Sequence, residues 1–260
     1  AFAVEFGQFS PTFPNGAVAV LPAMGLTFIA FEGYDLIATV TEEVKNPREN
    51  IPKAIFYSLA VTVVVYILVV FVAIGTIGAE ALGQAGETAI AQAAESFMPT
   101  VPLLGSGASL IAFGAVFSTV SALNAVILAS SRVAFAMGRQ DQLPGGVGQV
   151  HRRYGTPFRA VIASAGVMIV GVAAVPVESI GRLSSLFFLL SFVVVNGAVI
   201  RLRRRRPDLT RPYEIPYYPI PPILGIVFNL ILGLFVDFEI WLLGVGWLVL
   251  GGLVYMVLER

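Results

Sequence analysis

Glu32 and Asp35 stand three residues apart, with Gly33 between them, in the otherwise apolar stretch Phe28-Ile29-Ala30-Phe31-Glu32-Gly33-Tyr34-Asp35. On an unbroken helix the two carboxyl groups would lie near one face. Ionisable groups inside a hydrophobic span are costly in lipid. Irregular backbone at that depth is tolerated where it lines a cavity, and interrupted helices of this kind hold the cargo of membrane carriers. A break between Phe31 and Tyr34 would release backbone carbonyls suited to an ammonium group. It would also begin a half-helix whose positive dipole end suits an anion. Both groups occur on a zwitterion. Gly33 supplies the backbone freedom that the break requires. A carboxyl group withdrawn from water favours its protonated form, so Asp35 and Glu32 are the candidates for proton coupling. The competing reading is a glycine kink in a packed helix.

Fewer residues elsewhere have the types to do chemistry. Ser118, Thr119, Ser121 and Asn124 form a polar stripe in an apolar run, a possible ion site or pathway lining. Hydroxyls bonded back to their own helix, common in lipid, explain that stripe better. Ser184 and Ser185, with Phe187, form a weaker candidate pathway face. His151 is the single histidine and cysteine is absent, so no zinc site or thiol chemistry is expected and no cofactor is implied. The run Arg201 to Arg206 resembles a nucleic-acid patch when read alone. Between apolar spans it reads instead as a topology anchor at anionic lipid headgroups, so no nucleic-acid partner is expected. Tyr34-Asp35 also resembles half of an intramembrane aspartyl protease site. That chemistry needs a second aspartate sharing one proton, and Asp141, Asp208 and Asp237 fall in loops or at a helix edge.

The elements that must position these residues are set by composition. The chain is 57% hydrophobic and 12% charged, with a mean hydropathy of +0.86. Soluble domains carry roughly 25% charge, so the chain reads as an all-α integral membrane protein. A span needs about 20 apolar residues. Charge-poor runs predict seven, over residues 6–31 (continued by a half-helix to about 44), 54–79, 96–131, 160–177, 183–200, 215–236 and 240–258. With seven crossings, all of the 16 lysines and arginines except Arg182 fall on one side. The positive-inside bias then puts the start of the chain outside and its end in the cytoplasm of a multi-pass cell membrane protein. Glu80, Glu87 and Glu95 fall in a long outer loop expected to carry a surface helix. Asn50-Ile51-Pro52 offers a cap and early-turn proline for the second span. Residues 1–5 show no signal-peptide pattern, and the chain reads as a fragment.

Four segments in series are similar to the amino acid–polyamine–organocation permease superfamily. Phe28 to Asp35, continued by Thr41-Glu42-Glu43-Val44-Lys45-Asn46-Pro47-Arg48-Glu49-Asn50-Ile51-Pro52-Lys53-Ala54, resembles its sixth helix and following inner loop. Ser121-Ala122-Leu123-Asn124-Ala125, through Ser131-Arg132 to Ala136-Met137-Gly138-Arg139 and Leu143-Pro144, resembles the end of the eighth helix. His151-Arg152-Arg153-Tyr154-Gly155-Thr156-Pro157 resembles the approach to the ninth. Arg206-Pro207-Asp208 and Arg211-Pro212-Tyr213 with Pro216 resemble the tenth-to-eleventh connection.

The resemblance implies two inverted five-helix repeats followed by two further helices, of which this chain would supply helices six to twelve. Its divisions would be an outer loop (1–15), broken helix six (16–45), helices seven to ten completing the second repeat (46–200), and a basic inner loop with helices eleven and twelve (201–260). Helices one to five would be the missing partner. By resemblance, Phe28, Ile29, Ala30, Phe31, Glu32, Gly33 and Tyr34 would bind substrate. Asp35 falls where several members place an acidic residue, and Glu32 where others have an apolar one, which favours Asp35 as the proton-linked group. Ile29 stands where some members stack an aromatic ring, so its aliphatic side chain argues against cation–π recognition of a cationic substrate. Relatives with sodium coupling hold the ion with hydroxyls of the helix carrying Ser118 and Thr119. The implied function is secondary transport of amino acids or related amines driven by protons, with sodium an alternative. A non-transporting sensor or scaffold on the same fold is the competing class.

Overall fold

The computed structural model describes the chain apart from residues 1–3, 14, 35, 40–43, 101, 103–104, 212 and 259–260. Among the described residues every regular element is a helix. Ten are α-helices: α1 Val20–Thr27, α2 Leu36–Thr39, α3 Pro47–Ile77, α4 Ala79–Ala85, α5 Ala89–Phe97, α6 Gly107–Arg139, α7 Phe158–Ala174, α8 Val177–Arg205, α9 Ile220–Leu234 and α10 Phe238–Leu258. Among the described residues α3, α6, α8 and α10 are long and apolar enough to cross a bilayer, and α7 and α9 are shorter apolar helices. The protein is an all-helical, multi-pass membrane protein. It divides into two compact units, Ala1–Ala17 with Phe56–Val126, and Val18–Ile55 with Ile127–Arg260.

In the first unit, the segment expected to begin a span at residue 6 is instead a 3-10 turn, Phe6–Phe9. Phe9 stacks on Phe71 of α3 at 5.0 Å between ring centroids, and Phe6 meets the same ring edge-on at 6.4 Å. The Glu5 amide donates to the Gly75 carbonyl at 2.7 Å. Pro11 and Gly16, the latter at φ +81°, follow this turn, and the first α-helix starts only at Val20.

The connection between α3 and α6 carries the two short helices α4 and α5, where one surface helix was expected. Its acidic residue Glu95 acts on the next span. The Ala108 amide in the first turn of α6 donates to Glu95 Oε2 at 2.9 Å. The Ser106 hydroxyl and that amide together hold the Glu95 carboxyl below its ordinary value of 4.5. A lowered folded pKa stabilises the helix start above the unfolded value, and the effect is lost as pH falls through the folded one. Amide exchange at Ala108 should therefore accelerate in Glu95→Gln at neutral pH, with the difference from the parent vanishing on acidification below the ordinary glutamate range. Gly107 is required here, since a Cβ would lie 2.6 Å from the Ala94 carbonyl oxygen.

In the second unit α8 is the hub, packing against α9, α10, α1, α7 and the 3-10 turn Phe28–Phe31. Its buried residues Ser185, Leu186 and Leu189 form the core with Leu232 and Ile240. Close approach relies on small residues, as is usual between helices in lipid. Gly25 of α1 faces the Leu232 carbonyl, Gly225 faces Asn196, and Gly244 faces Leu183, Leu186 and Phe187. Two polar side chains are satisfied locally: Asn196 donates to the Phe192 carbonyl at 2.8 Å, and Trp241 Nε1 to the Gly233 carbonyl at 3.1 Å.

Several boundaries move outward from the sequence expectation. The helix expected from residue 54 begins at Pro47, because proline at the first helical position sacrifices no hydrogen bond. The Asn46 carbonyl accepts the Glu49 and Asn50 amides at 3.1 and 3.0 Å, closing that first turn. The expected span 183–200 becomes Val177–Arg205, starting directly after Pro176. Arg203, Arg204 and Arg205 occupy its last turn, where cations complement the helix dipole.

Candidate functional site

The helix expected to break does so. The α-helix α1 ends at Thr27, tightens into the 3-10 turn Phe28–Phe31, and leaves helical geometry at Glu32, whose backbone is extended (φ −67°, ψ 150°). Gly33 follows at φ +117°, a region L side chains rarely enter. Helical structure resumes at Leu36–Thr39. Two hydrogen bonds bracket the break. The Glu32 amide donates to the Ile29 carbonyl at 3.1 Å, and the Leu36 amide to the Gly33 carbonyl at 3.2 Å. The Thr27 hydroxyl caps the turn before it by donating to the Ala23 carbonyl at 2.9 Å.

Around the break, Phe31, Glu32 and Tyr34 are half-buried, and Glu32 Oε1 is screened from solvent. Phe28 is half-buried too, whereas Ile29, Ala30 and Gly33 are exposed. Asp35 lies outside the described residues.

Both sides of the break are held by one ring. Phe192 of α8 meets Phe28 edge-on at 6.0 Å, and Tyr34 stacks on it at 6.1 Å with the planes 11° apart. Phe188 tilts against Phe192 at 6.2 Å. Sequence reasoning missed Phe188 and Phe192 and named Phe187, which faces Gly244 of α10 instead. The available signal was helical spacing. Gly181 looks toward Ile29, and residues 185, 188 and 192 continue that face one turn at a time.

Ser185 belongs to this stripe. It is fully buried, and its hydroxyl has no hydrogen-bond partner among the described residues. Ser184 is half-buried beside it. The structure thus brings Ser185 to the α8 face that carries the aromatic support of the break.

Ser118, Thr119, Ser121 and Asn124 lie on the exposed surface of α6, in the other unit. The hydroxyls on α6 that bond back to the helix are those of Ser130 and Ser131, to the Ile127 and Leu128 carbonyls at 3.2 and 2.8 Å. His151 is structural: its Nδ1 accepts the Arg153 amide at 3.2 Å, and its ring packs between Tyr154 and Phe158. Two of the remaining aspartates are engaged by arginine. The Arg206 guanidinium lowers the Asp208 carboxyl from its ordinary value, and Arg182 pairs with Asp237 across the start of α8 and the α9–α10 turn.

The break thus joins an interrupted apolar helix, one shielded carboxylate oxygen and the aromatic support of Phe192. The family described as amino acid permease matches residues 2–254. The chain is 31% identical over 258 residues to the branched-chain amino acid permease BcaP of Bacillus subtilis (strain 168), covering 97% of this chain and 53% of that protein. It is 30% identical to the methylthioribose transporter of the same organism, covering 99% of this chain and 54% of the relative. The serine/threonine exchanger SteT, also from Bacillus subtilis (strain 168), is 29% identical over 77% of this chain and 45% of its own length. The chain spans about half the length of these curated relatives.

Proposed function

This chain belongs to the amino acid permease family, and on that premise we propose that it forms the C-terminal half of a longer secondary transporter for amino acids or related amines. The observation that carries the reading is the break at Glu32–Tyr34, where an apolar helix gives up its hydrogen-bond ladder beside a carboxyl group. In such a site, backbone carbonyls face the substrate ammonium and a half-helix start faces its carboxylate. Phe28 and Phe31 wall the pocket, and Ile29 leaves it without an aromatic lid at that position. Asp35 carries the coupling proton, with Glu32 as the second acidic group. Ser184 and Ser185 on α8 are the pathway candidates in the unit that carries the break. The missing half supplies the rest of the substrate contacts. The basic loops face the cytoplasm, which places the start of this chain outside.

Uptake of radiolabelled amino acids and amines into proteoliposomes holding the full-length protein tests the reading. Accumulation driven by an inward proton gradient supports it. A folded protein with no flux under either a proton or a sodium gradient points to a sensor or scaffold instead.

The support of the break gives a second handle. Phe192→Ala removes the ring shared by Phe28 and Tyr34. Aromatic pairs contribute about 0.5–1.5 kcal/mol each beyond their buried area, so losing two should raise the uptake KM by roughly 5- to 150-fold. Phe192→Tyr, which keeps the ring, should stay near the parent.

A further inference from the structure

The second unit contains a groove of about 650 Å³ where the start of α3 meets the end of α8 and the segment after it. Its walls are of two chemistries. Ile51, Leu202 and Leu209 form an apolar side, and Arg48, Arg211 and Tyr213 a polar one. We propose that this groove is a discrete binding site for one anionic phospholipid, its phosphate between Arg48 and Arg211 and the start of an acyl chain along Ile51, Leu202 and Leu209.

The charge at the groove is only partly compensated. Glu49 is engaged by Lys53 at 2.5 Å and Asp208 chiefly by Arg206 at 3.2 Å, with Arg211 adding a weaker attraction to Asp208, and the exposed Glu214 follows Tyr213 in the chain. Arg48 is exposed and has no carboxylate partner among the described residues. It shares the first turn of α3 with Glu49, and the positive end of the helix dipole there adds to the pull of its guanidinium on an anion. Arg211 is held in place by neutral groups. Its guanidinium donates to the Arg206 carbonyl at 2.6 Å and the Leu209 carbonyl at 2.9 Å, which orient it without neutralising it. A fixed cation and an exposed one lining the same groove fit a phosphate diester.

The apolar wall selects among anions. Leu202 and Leu209 are half exposed beside these arginines, which a free phosphate or an acidic peptide does not require. The surroundings match the depth of lipid headgroups. Tyr217 is 84% exposed, and the Arg203 guanidinium lies 4.3 Å over the Tyr218 ring. Tyrosine and arginine together mark a membrane interface, and basic pockets between spans on the cytoplasmic side hold anionic headgroups. The assignment to the cytoplasmic leaflet rests on the orientation proposed above.

The test uses the full-length protein in neutral detergent, titrated with dioleoyl-phosphatidylglycerol, dioleoyl-phosphatidylcholine or inorganic phosphate. Native mass spectrometry counts bound lipid and a melting curve reports stabilisation. One phosphatidylglycerol should be retained and raise Tm, while phosphatidylcholine and phosphate do neither. Arg48→Gln should weaken retention about fivefold, with Arg204→Gln, outside the groove, near the parent. Equal retention of phosphatidylcholine would reduce the groove to a greasy contact. The same Tm shift from phosphate alone would make it a free-anion site, and equal loss in both variants a diffuse basic belt; each overturns the proposal. Binding in detergent is read without flux or sidedness, so a failure here is separable from a failure of the transporter reading. Sidedness is read by labelling Arg204→Cys in the full-length protein, with the parent as background.

Discussion

Asp35→Asn in the full-length protein should abolish the pH dependence of substrate binding and stop proton-driven accumulation, while leaving the protein folded and able to bind. Asparagine matches aspartate in size and keeps its hydrogen-bonding capacity, but it cannot exchange a proton. If Asp35 is the coupling group, proton and substrate each change the other's affinity by the same factor, and such couplings run to about 5- to 150-fold. The parent should therefore show an apparent Kd that moves by that order across its titration, and the variant a flat one. Equilibrium exchange of labelled substrate, which needs no net proton movement, should survive. Glu32→Gln is the parallel arm. The Glu32 carboxylate has one oxygen screened from solvent at the break itself, so the coupling proton has a second possible holder. Flat binding in Glu32→Gln with an unaffected Asp35→Asn would transfer the role to Glu32. A pH dependence kept in both would remove proton coupling from this site altogether.

The break was legible in the sequence because lipid punishes what it contains. Glu32, Gly33 and Asp35 have no reason to interrupt Phe28–Tyr34 unless the backbone does something other than continue a helix there. The long spans were legible for the complementary reason, since charge-free runs such as 54–79 and 240–258 leave few alternatives. Residues 6–19 misled because an apolar residue does not say whether lipid or protein covers it. Phe6 and Phe9 sit in a 3-10 turn and meet the Phe71 ring instead of continuing a long helix. The same ambiguity hid Phe192. A phenylalanine in an apolar span carries no signal of its own, and its role appears only when folding places it between Phe28 and Tyr34. Arg182 was read as the lone cation on its side, and its pairing with Asp237 depends on a turn brought from 55 residues away. Residue type reports the solvent a side chain needs, whereas the partner comes from tertiary packing.

Gly33→Ala should damage function through the backbone alone. At φ +117° an L residue is strained by about 1–3 kcal/mol. Crowding is not the cause, because a Cβ at Gly33 meets nothing within 4 Å. The penalty is therefore confined to the backbone, and the chain has two ways to answer it. It can keep the break and carry the strain, or it can relax to negative φ and swing Tyr34 off Phe192, dissolving the 11° stack that fixes the far side of the break. Either response weakens substrate binding, by roughly 5- to 150-fold if the whole penalty falls on the binding-competent form. The second response should also release Tyr34, which its fluorescence would report. Gly114→Ala on α6 is the control. That glycine is helical, a Cβ there also meets open space, and alanine is the better helix former by about 0.5–1 kcal/mol. Transport by Gly114→Ala should match the parent. If Gly33→Ala transports equally well, the break does not need glycine's backbone, and the case for a site built on its geometry fails.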